Sequence, residues 1–284
     1  MRYATVTAPD NKDYFVRIQD GTATPIGRAF EAPGADPLRL MLTAGKNPAK
    51  VKGIAKSFPI AKAKKWHSPV TQPSKVISVG ANYRRHIAEI GLPVPKLPVS
   101  FAKYPSSITG HKQPIKFRRS DTTQVDYENE LMIVIGKRAR DVKKKDALKY
   151  VFGYTIVNDV SARDHQFGGD QYSRCKSFDT FTPVGPWIVD TTEIKDPQKL
   201  PIRTRVNGKT VQSNNTSDML FPCAFIIEFL SRYITLEPGD MITTGTPEGV
   251  GWGRTPKLFL KNGDTLETEI GGIGVLVNPI KEYK

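Results

Sequence analysis

Asp126-Tyr127-Glu128-Asn129-Glu130-Leu131-Met132-Ile133-Val134-Ile135-Gly136 is the stretch whose reading decides the fold. Leu131 to Ile135 is an apolar, largely β-branched run closed by a glycine, which predicts a buried strand. Side chains alternate along a strand, so Glu128 and Glu130 share one face and Asn129 takes the other. Paired carboxylates beside a core strand repel each other and lose hydration, unless a cation sits between them. A divalent ion meets that need. An edge strand with both glutamates in water explains this segment alone equally well.

Gly153-Tyr154-Thr155-Ile156-Val157-Asn158-Asp159-Val160-Ser161-Ala162-Arg163-Asp164-His165-Gln166 is a second apolar run that ends in an acid. Asp159 falls at the predicted strand exit, before residues suited to a turn or helix start. Glu128, Glu130 and Asp159 together form a hard oxygen set, with no cysteine or histidine at zinc-like spacing. That set selects Mg²⁺, Mn²⁺ or Ca²⁺. Three protein ligands leave about three positions of an octahedral Mg²⁺ for water and substrate, the pattern of a catalytic metal.

These two segments resemble the fumarylacetoacetate hydrolase family, and further matching motifs follow in order. They are Val79-Gly80-Ala81-Asn82-Tyr83-Arg84-Arg85-His86, Lys176-Ser177-Phe178-Asp179-Thr180-Phe181, Pro183-Val184-Gly185-Pro186-Trp187 and Thr244-Gly245-Thr246-Pro247-Glu248-Gly249-Val250-Gly251. The resemblance covers approximately residues 73–280. It implies a β-rich α+β fold with a β-roll-like catalytic domain over residues 73–284. Residues 1–72 are then a small N-terminal domain and basic connector. It also implies a divalent metal on two glutamates and an aspartate, chemistry on 2-oxo acids, and a homodimer.

Composition bounds the alternatives. The chain of 284 residues has 38% hydrophobic residues, enough for a sizeable core. No apolar stretch is long enough to span a bilayer, and Met1-Arg2-Tyr3-Ala4-Thr5-Val6 lacks a signal-peptide core, so a cytoplasmic address is expected. Cys175 and Cys223 are too few to staple a secreted scaffold. The formal charge of +14 raises nucleic-acid binding as a minor alternative, with Lys46, Lys50, Lys52, Lys56, Lys62, Lys64 and Lys65 crowding one stretch. That stretch carries Pro48 and Pro59, has little aromatic interleaving and contains no nucleic-acid motif. It reads as a solvated connector, and the remaining excess charge suits an anionic substrate.

Short strands are predicted at Tyr3–Thr7, Tyr14–Ile18, Ile202–Val206, Met241–Thr244 and Thr265–Ile270, with a strand opening the main domain near Gly80. Asn207-Gly208 signals a hairpin. Helices are expected near Pro37–Ala44 and over Pro222–Ile234, where Phe225, Phe229 and Tyr233 form a stripe assigned to the core.

His86-Ile87-Ala88-Glu89 places an acid three residues after a histidine, on one helix face. Glu89 can orient His86 as a base, although a surface pair is the plainer reading of these residues alone. In the smaller members of the family a His-x-x-Glu at this place implies water activation on a closing loop. The resemblance likewise places an active-site lysine at Lys176, where an ammonium stabilises a developing enolate. Cys175 stands where the family usually has glycine and reads as a packed thiol. Arg163 and Gln166 are carried over as contacts to the distal end of the substrate; pairing of Arg163 with Asp164 or another acid is an equal alternative. Thr246 is a candidate for the substrate carboxylate, against an ordinary turn threonine.

The expected activity is C–C hydrolysis of an acylpyruvate-type 2,4-dioxo acid. Oxaloacetate decarboxylation and isomerisation or hydration of an unsaturated oxo acid are the alternatives that share the same enolate.

Overall fold

The computed structural model describes residues 1–166 and 171–283. Its strands are β1 (Arg2–Thr7), β2 (Asp13–Gln19), β3 (Thr22–Arg28), β4 (Val76–Gly80), β5 (Val99–Lys103), β6 (Asn129–Ile135), β7 (Val151–Asn158), β8 (Thr182–Asp190), β9 (Pro201–Val206), β10 (Lys209–Asn215), β11 (Met241–Thr243), β12 (Thr265–Ile270) and β13 (Gly274–Glu282). Four helices, α1 (Pro37–Thr43), α2 (Arg84–Glu89), α3 (Arg163–Gln166) and α4 (Cys223–Tyr233), stand among them. The result is a sheet-rich α+β fold.

Among the described residues, a 12-stranded sheet runs β3-β2-β1-β8-β7-β6-β11-β4-β5, with short two-residue strands added at its margins. β6 lies in its interior, antiparallel to β7 on one side and to β11 on the other. Every residue of β6 is buried, so the edge-strand reading of Glu128 and Glu130 is excluded. A smaller sheet runs β10-β9-β12-β13 and ends on Ile115–Phe117.

Strand alternation explains how the two sheets join. Asn129 points away from the two glutamates and donates from Nδ2 to Arg203 O at 2.8 Å and Glu269 O at 3.1 Å, both on the smaller sheet. Asn158 Nδ2 donates to Thr268 Oγ1 at 3.2 Å beside it. One face of β6 therefore clamps the sheets together and leaves the other to the acids. Asn207 and Gly208 both take positive φ, 51° and 77°, as the two-residue hairpin between β9 and β10 requires.

Three expectations change here. β1 pairs with β8, so the N-terminal strands extend the main sheet. The lysine-rich stretch is more than a connector: Phe58–Pro59 pairs with β3 and Lys65–Trp66 with β1. Its seven lysines are all exposed, as expected. The aromatic stripe of α4 forms only the margin of its core face: Phe225 and Phe229 pack against the core from its edge. Cys223, Ile226, Ile227, Leu230 and Ser231 are buried, whereas Phe225 and Phe229 are half-buried and Tyr233 is exposed. The branched aliphatic side chains pack closely against the sheet, and the rings lie along the helix flank.

Candidate active site

Seven of the nine residues singled out in the sequence line one cavity of about 240 Å³: His86, Glu128, Glu130, Arg163, Gln166, Lys176 and Thr246. The other two stand directly behind it, Glu89 bonded to His86 and Asp159 bonded to Lys176. The fold brings them from α2, the start of β6, the end of β7, α3, the segment leading into β8 and the loop after β11.

Glu128, Glu130 and Asp159 each offer an oxygen within 4.8 Å of the others, and all three are buried. The strand pairing produces this directly. Asn129 pairs with Asn158, so the residues just outside that pair, Glu128 and Asp159, meet at the sheet end. Asp159 N donates to Glu128 O at 2.8 Å. Glu130 follows one pleat further in, where Gly245 N donates to its Oε2 at 2.7 Å. Gly245 has φ 86°, and a Cβ there would lie 2.7 Å from Asn82 Cβ, so glycine is required to bring this amide to the acid. Asn82 fixes the same loop by donating to Thr244 O at 2.7 Å. Two of the motifs are thus one packing unit.

Three cations meet the acids. Lys176 Nζ donates to Glu128 Oε2 at 2.7 Å, Asp159 Oδ2 at 2.8 Å and Ser161 Oγ at 3.0 Å, which uses all three of its protons. Arg163 donates to Asp126 Oδ2 at 2.8 Å, Glu128 Oε1 at 2.6 Å and Gln166 Oε1 at 2.7 Å. It does not pair with Asp164, which accepts from Thr122 and Thr123 instead. Lys103, buried at the end of β5, bonds Asp159 Oδ1 and Phe181 O.

Four carboxylates (Asp126, Glu128, Glu130 and Asp159) thus face three cations, one positive charge short. The deficit falls on Glu130. Burial, and then the charges of Asp159 and Glu128, push its carboxyl well above the usual range. Burial also works against ionised Glu128, but Lys176, Arg163 and His86 outweigh it and hold that carboxyl down at about 2. A divalent cation on the three oxygens would supply the missing charge, and the all-oxygen donor set fits a hard ion.

His86 and Glu89 form a pair on α2, with Nδ1 and Oε2 3.0 Å apart. Glu89 Oε1 in turn accepts from Gly249 N at 2.8 Å, which anchors the acid. A carboxylate at Nδ1 places the ring proton there and leaves Nε2 as the basic atom. Thr246 Oγ1 accepts from Gln212 Nε2 at 2.9 Å. Cys175 is fully buried, its thiol pushed up by burial and donating to Tyr172 O at 3.1 Å, a packed structural group.

Sequence reasoning missed Asp126, Lys103 and Gln212. Asp126 accepts from the backbone amides of Tyr127, Gly251 and Trp252 while also holding Arg163. Its place in the quoted segment was a signal, but its role depends on a loop 125 residues away. Lys103 ends an ordinary alternating strand and carries no local mark.

Residues 75–281 match the family model described as fumarylacetoacetate (FAA) hydrolase, C-terminal. The chain belongs to the fumarylacetoacetate hydrolase family. It is 47% identical over 219 residues to oxaloacetate tautomerase YisK of Bacillus subtilis, covering 76% of this chain and 73% of that protein. Among solved structures, fumarylacetoacetate hydrolase from Exiguobacterium antarcticum matches with a TM-score of 0.86 at 37% identity, over 100% of both chains. The 2-hydroxyhepta-2,4-diene-1,7-dioate isomerase of Mycobacterium marinum matches with a TM-score of 0.80 at 36% identity, over 99% of this chain and 98% of that one. The protein is an enzyme of this family, and no helix among its described residues is long and apolar enough to cross a membrane.

Proposed function

We propose that this enzyme enolises a small 2-oxo acid, exchanging a proton between carbon 3 and the 2-oxygen as in keto–enol tautomerisation of an oxaloacetate-like acid. The observation that carries this reading is His86, oriented by Glu89, lining the same cavity as Glu128 and Glu130. The relatives named as a tautomerase and an isomerase support it.

Glu128, Glu130 and Asp159 would hold Mg²⁺, or Mn²⁺ or Ca²⁺, which when bound polarises the 2-oxo oxygen and so acidifies carbon 3. His86 Nε2 takes the carbon-3 proton, and Glu89 stabilises the imidazolium that forms. The same His86 returns the proton to complete the tautomerisation. Lys176 and Arg163 fix the acids in place. Lys176 reaches substrate only by releasing one of its three present partners. Thr246 and Gln166 complete the polar lining around the substrate carboxylate.

The second reading is hydrolytic C–C cleavage of an acylpyruvate-type acid. It is favoured by the same pair, because a base that takes a proton from carbon also takes one from water. Decarboxylation of oxaloacetate would use the same enolate without needing that base. Deuterium incorporation at carbon 3, followed by NMR alongside pyruvate release, separates these reactions. Exchange without cleavage supports tautomerisation. Stoichiometric pyruvate from a 2,4-dioxo acid would put hydrolysis first.

The reading places the enzyme in the cytoplasm as a homodimer, with residues 1–72 as an N-terminal portion whose strands continue the sheet of the catalytic portion, residues 73–284. Sedimentation at micromolar concentration tests the dimer.

A further inference from the structure

Thr246 lines the cavity beside Gly245 and Glu130, and it is held by a buried side chain from the smaller sheet. That side chain is Gln212 of β10, which stands opposite Thr204 of β9. Its carboxamide makes four hydrogen bonds. Oε1 accepts from Asn129 N at 3.2 Å and from Thr204 Oγ1 at 2.8 Å. Nε2 donates to Thr246 Oγ1 and to Pro247 O, each at 2.9 Å. A primary amide carries two donor protons and two acceptor lone pairs, so this one is fully used.

Two of the partners fix which way the amide faces. A backbone N–H only donates, and a backbone carbonyl only accepts. Asn129 N must therefore meet the oxygen, and Pro247 O the nitrogen. Turning the amide over would set donor against donor and acceptor against acceptor. The second Nε2 proton is thus aimed at Thr246 Oγ1, which makes the Thr246 hydroxyl an acceptor toward Gln212. The hydroxyl's own proton points elsewhere, and no acceptor among the described residues takes it. A buried donor without a partner costs free energy, which a ligand oxygen in the cavity relieves.

The same amide ties two parts of the site together. Asn129 sits between Glu128 and Glu130 on β6, whereas Thr246 and Pro247 belong to the loop whose Gly249 N anchors Glu89. We infer that Gln212 is a positioning residue: it locks the Thr246 hydroxyl as a hydrogen-bond donor into the cavity, toward an oxygen of the substrate carboxylate. This rests on the 2-oxo-acid reading of the cavity and adds the group that sets the polarity of one of its contacts.

The test is a double-mutant cycle on Gln212→Met and Thr246→Val, with Thr246→Ser as the conservative control. Both kcat and KM are measured for carbon-3 deuterium exchange of oxaloacetate by NMR, with Mg²⁺ present. Thr246→Val removes the proton and is expected to raise KM about tenfold, the loss of one hydrogen bond to a charged group, with a smaller fall in kcat. Thr246→Ser keeps the hydroxyl bonded to Gln212 and should stay within about twofold of wild type. Gln212→Met preserves volume but frees the hydroxyl to turn, and KM should rise about threefold. In the Thr246→Val background the same substitution should change KM by less than about 1.5-fold while still lowering Tm, because its effect on binding passes through the missing hydroxyl. Equal effects of Gln212→Met on KM in both backgrounds would show that it acts only through packing, and would overturn the inference.

A second measurement stands if Gln212→Met does not fold, or if wild type exchanges no 2-oxo acid and the cavity reading itself fails. The side-chain amide resonances of Gln212 are compared in isotopically labelled wild-type and Thr246→Val protein without ligand. One Nε2 proton is expected to move upfield as its bond to Oγ1 is lost, while the other, on Pro247 O, keeps its position. That pattern upholds the lock on the hydroxyl, and two unmoved resonances overturn it.

Discussion

Lys103 bonds Asp159 from the side opposite Lys176, so one buried aspartate is held between two buried ammonium groups. Lys103 is fully buried, and burial lowers its affinity for a proton despite the neighbouring Asp159. Replacing it with methionine leaves Asp159 Oδ1 without its partner. Breaking a buried pair in this way costs about 3 kcal/mol. The expected outcome is a Tm lower by several degrees in calorimetry, with divalent-ion binding still detectable. Unchanged stability would contradict the pairing.

Metal dependence is the second prediction. A cation that binds the folded acid cluster stabilises it by mass action, by about 2.7 kcal/mol at a hundredfold excess over Kd. Mg²⁺ or Mn²⁺ should therefore raise Tm, and a chelator should abolish turnover. Glu130→Gln and Asp159→Ala should each remove both effects. A wild-type Tm indifferent to Mg²⁺, Mn²⁺ and Ca²⁺ alike would count against a metal on Glu128, Glu130 and Asp159.

The base is tested separately from the metal. His86→Ala should slow carbon-3 exchange by roughly 10²–10⁴-fold while the Mg²⁺-induced rise in Tm persists. Glu89→Gln retains a hydrogen-bond acceptor and should lose less. Wild-type exchange by His86→Ala would remove this residue from the mechanism.

Acid sensitivity follows from His111. It is buried against Trp66, its Nδ1 accepts from Val277 N at 3.1 Å, and burial followed by the charge of Lys112 lowers its pKa to about 4. The unfolded chain takes up this proton near pH 6.5 and the folded protein only near 4. Between those values the unfolded state binds more protons, so stability is lost as pH falls, by on the order of 3 kcal/mol in all. Urea midpoints between pH 7 and 4 should fall less steeply in His111→Asn than in wild type.

The exposed lysines between Lys46 and Lys65 should be dispensable for turnover. Replacing four or more with glutamine should alter solubility and leave exchange rates within about twofold, since solvated surface charges contribute little. Submicromolar, salt-sensitive RNA or DNA binding that vanished with these residues would assign them a different role.

What the sequence determined by itself is whatever repeats at short range. The apolar, largely β-branched run from Leu131 to Ile135 dictates a strand, whose alternation sets Glu128 and Glu130 on one face, and Asn207-Gly208 dictates a hairpin, because backbone sterics act over a few residues. His86 and Glu89 pair because they lie one helical turn apart. The tertiary structure alone decided which strands neighbour β6, and therefore that its acids meet Asp159 rather than water. It also chose the partners of Arg163, delivered Lys103 from β5, and put Ile226, Ile227 and Leu230 of α4 in the core with the aromatics at its margin. Those outcomes depend on packing between segments dozens of residues apart, where branched side chains compete with rings for one sheet face. Local pattern carries no record of that competition.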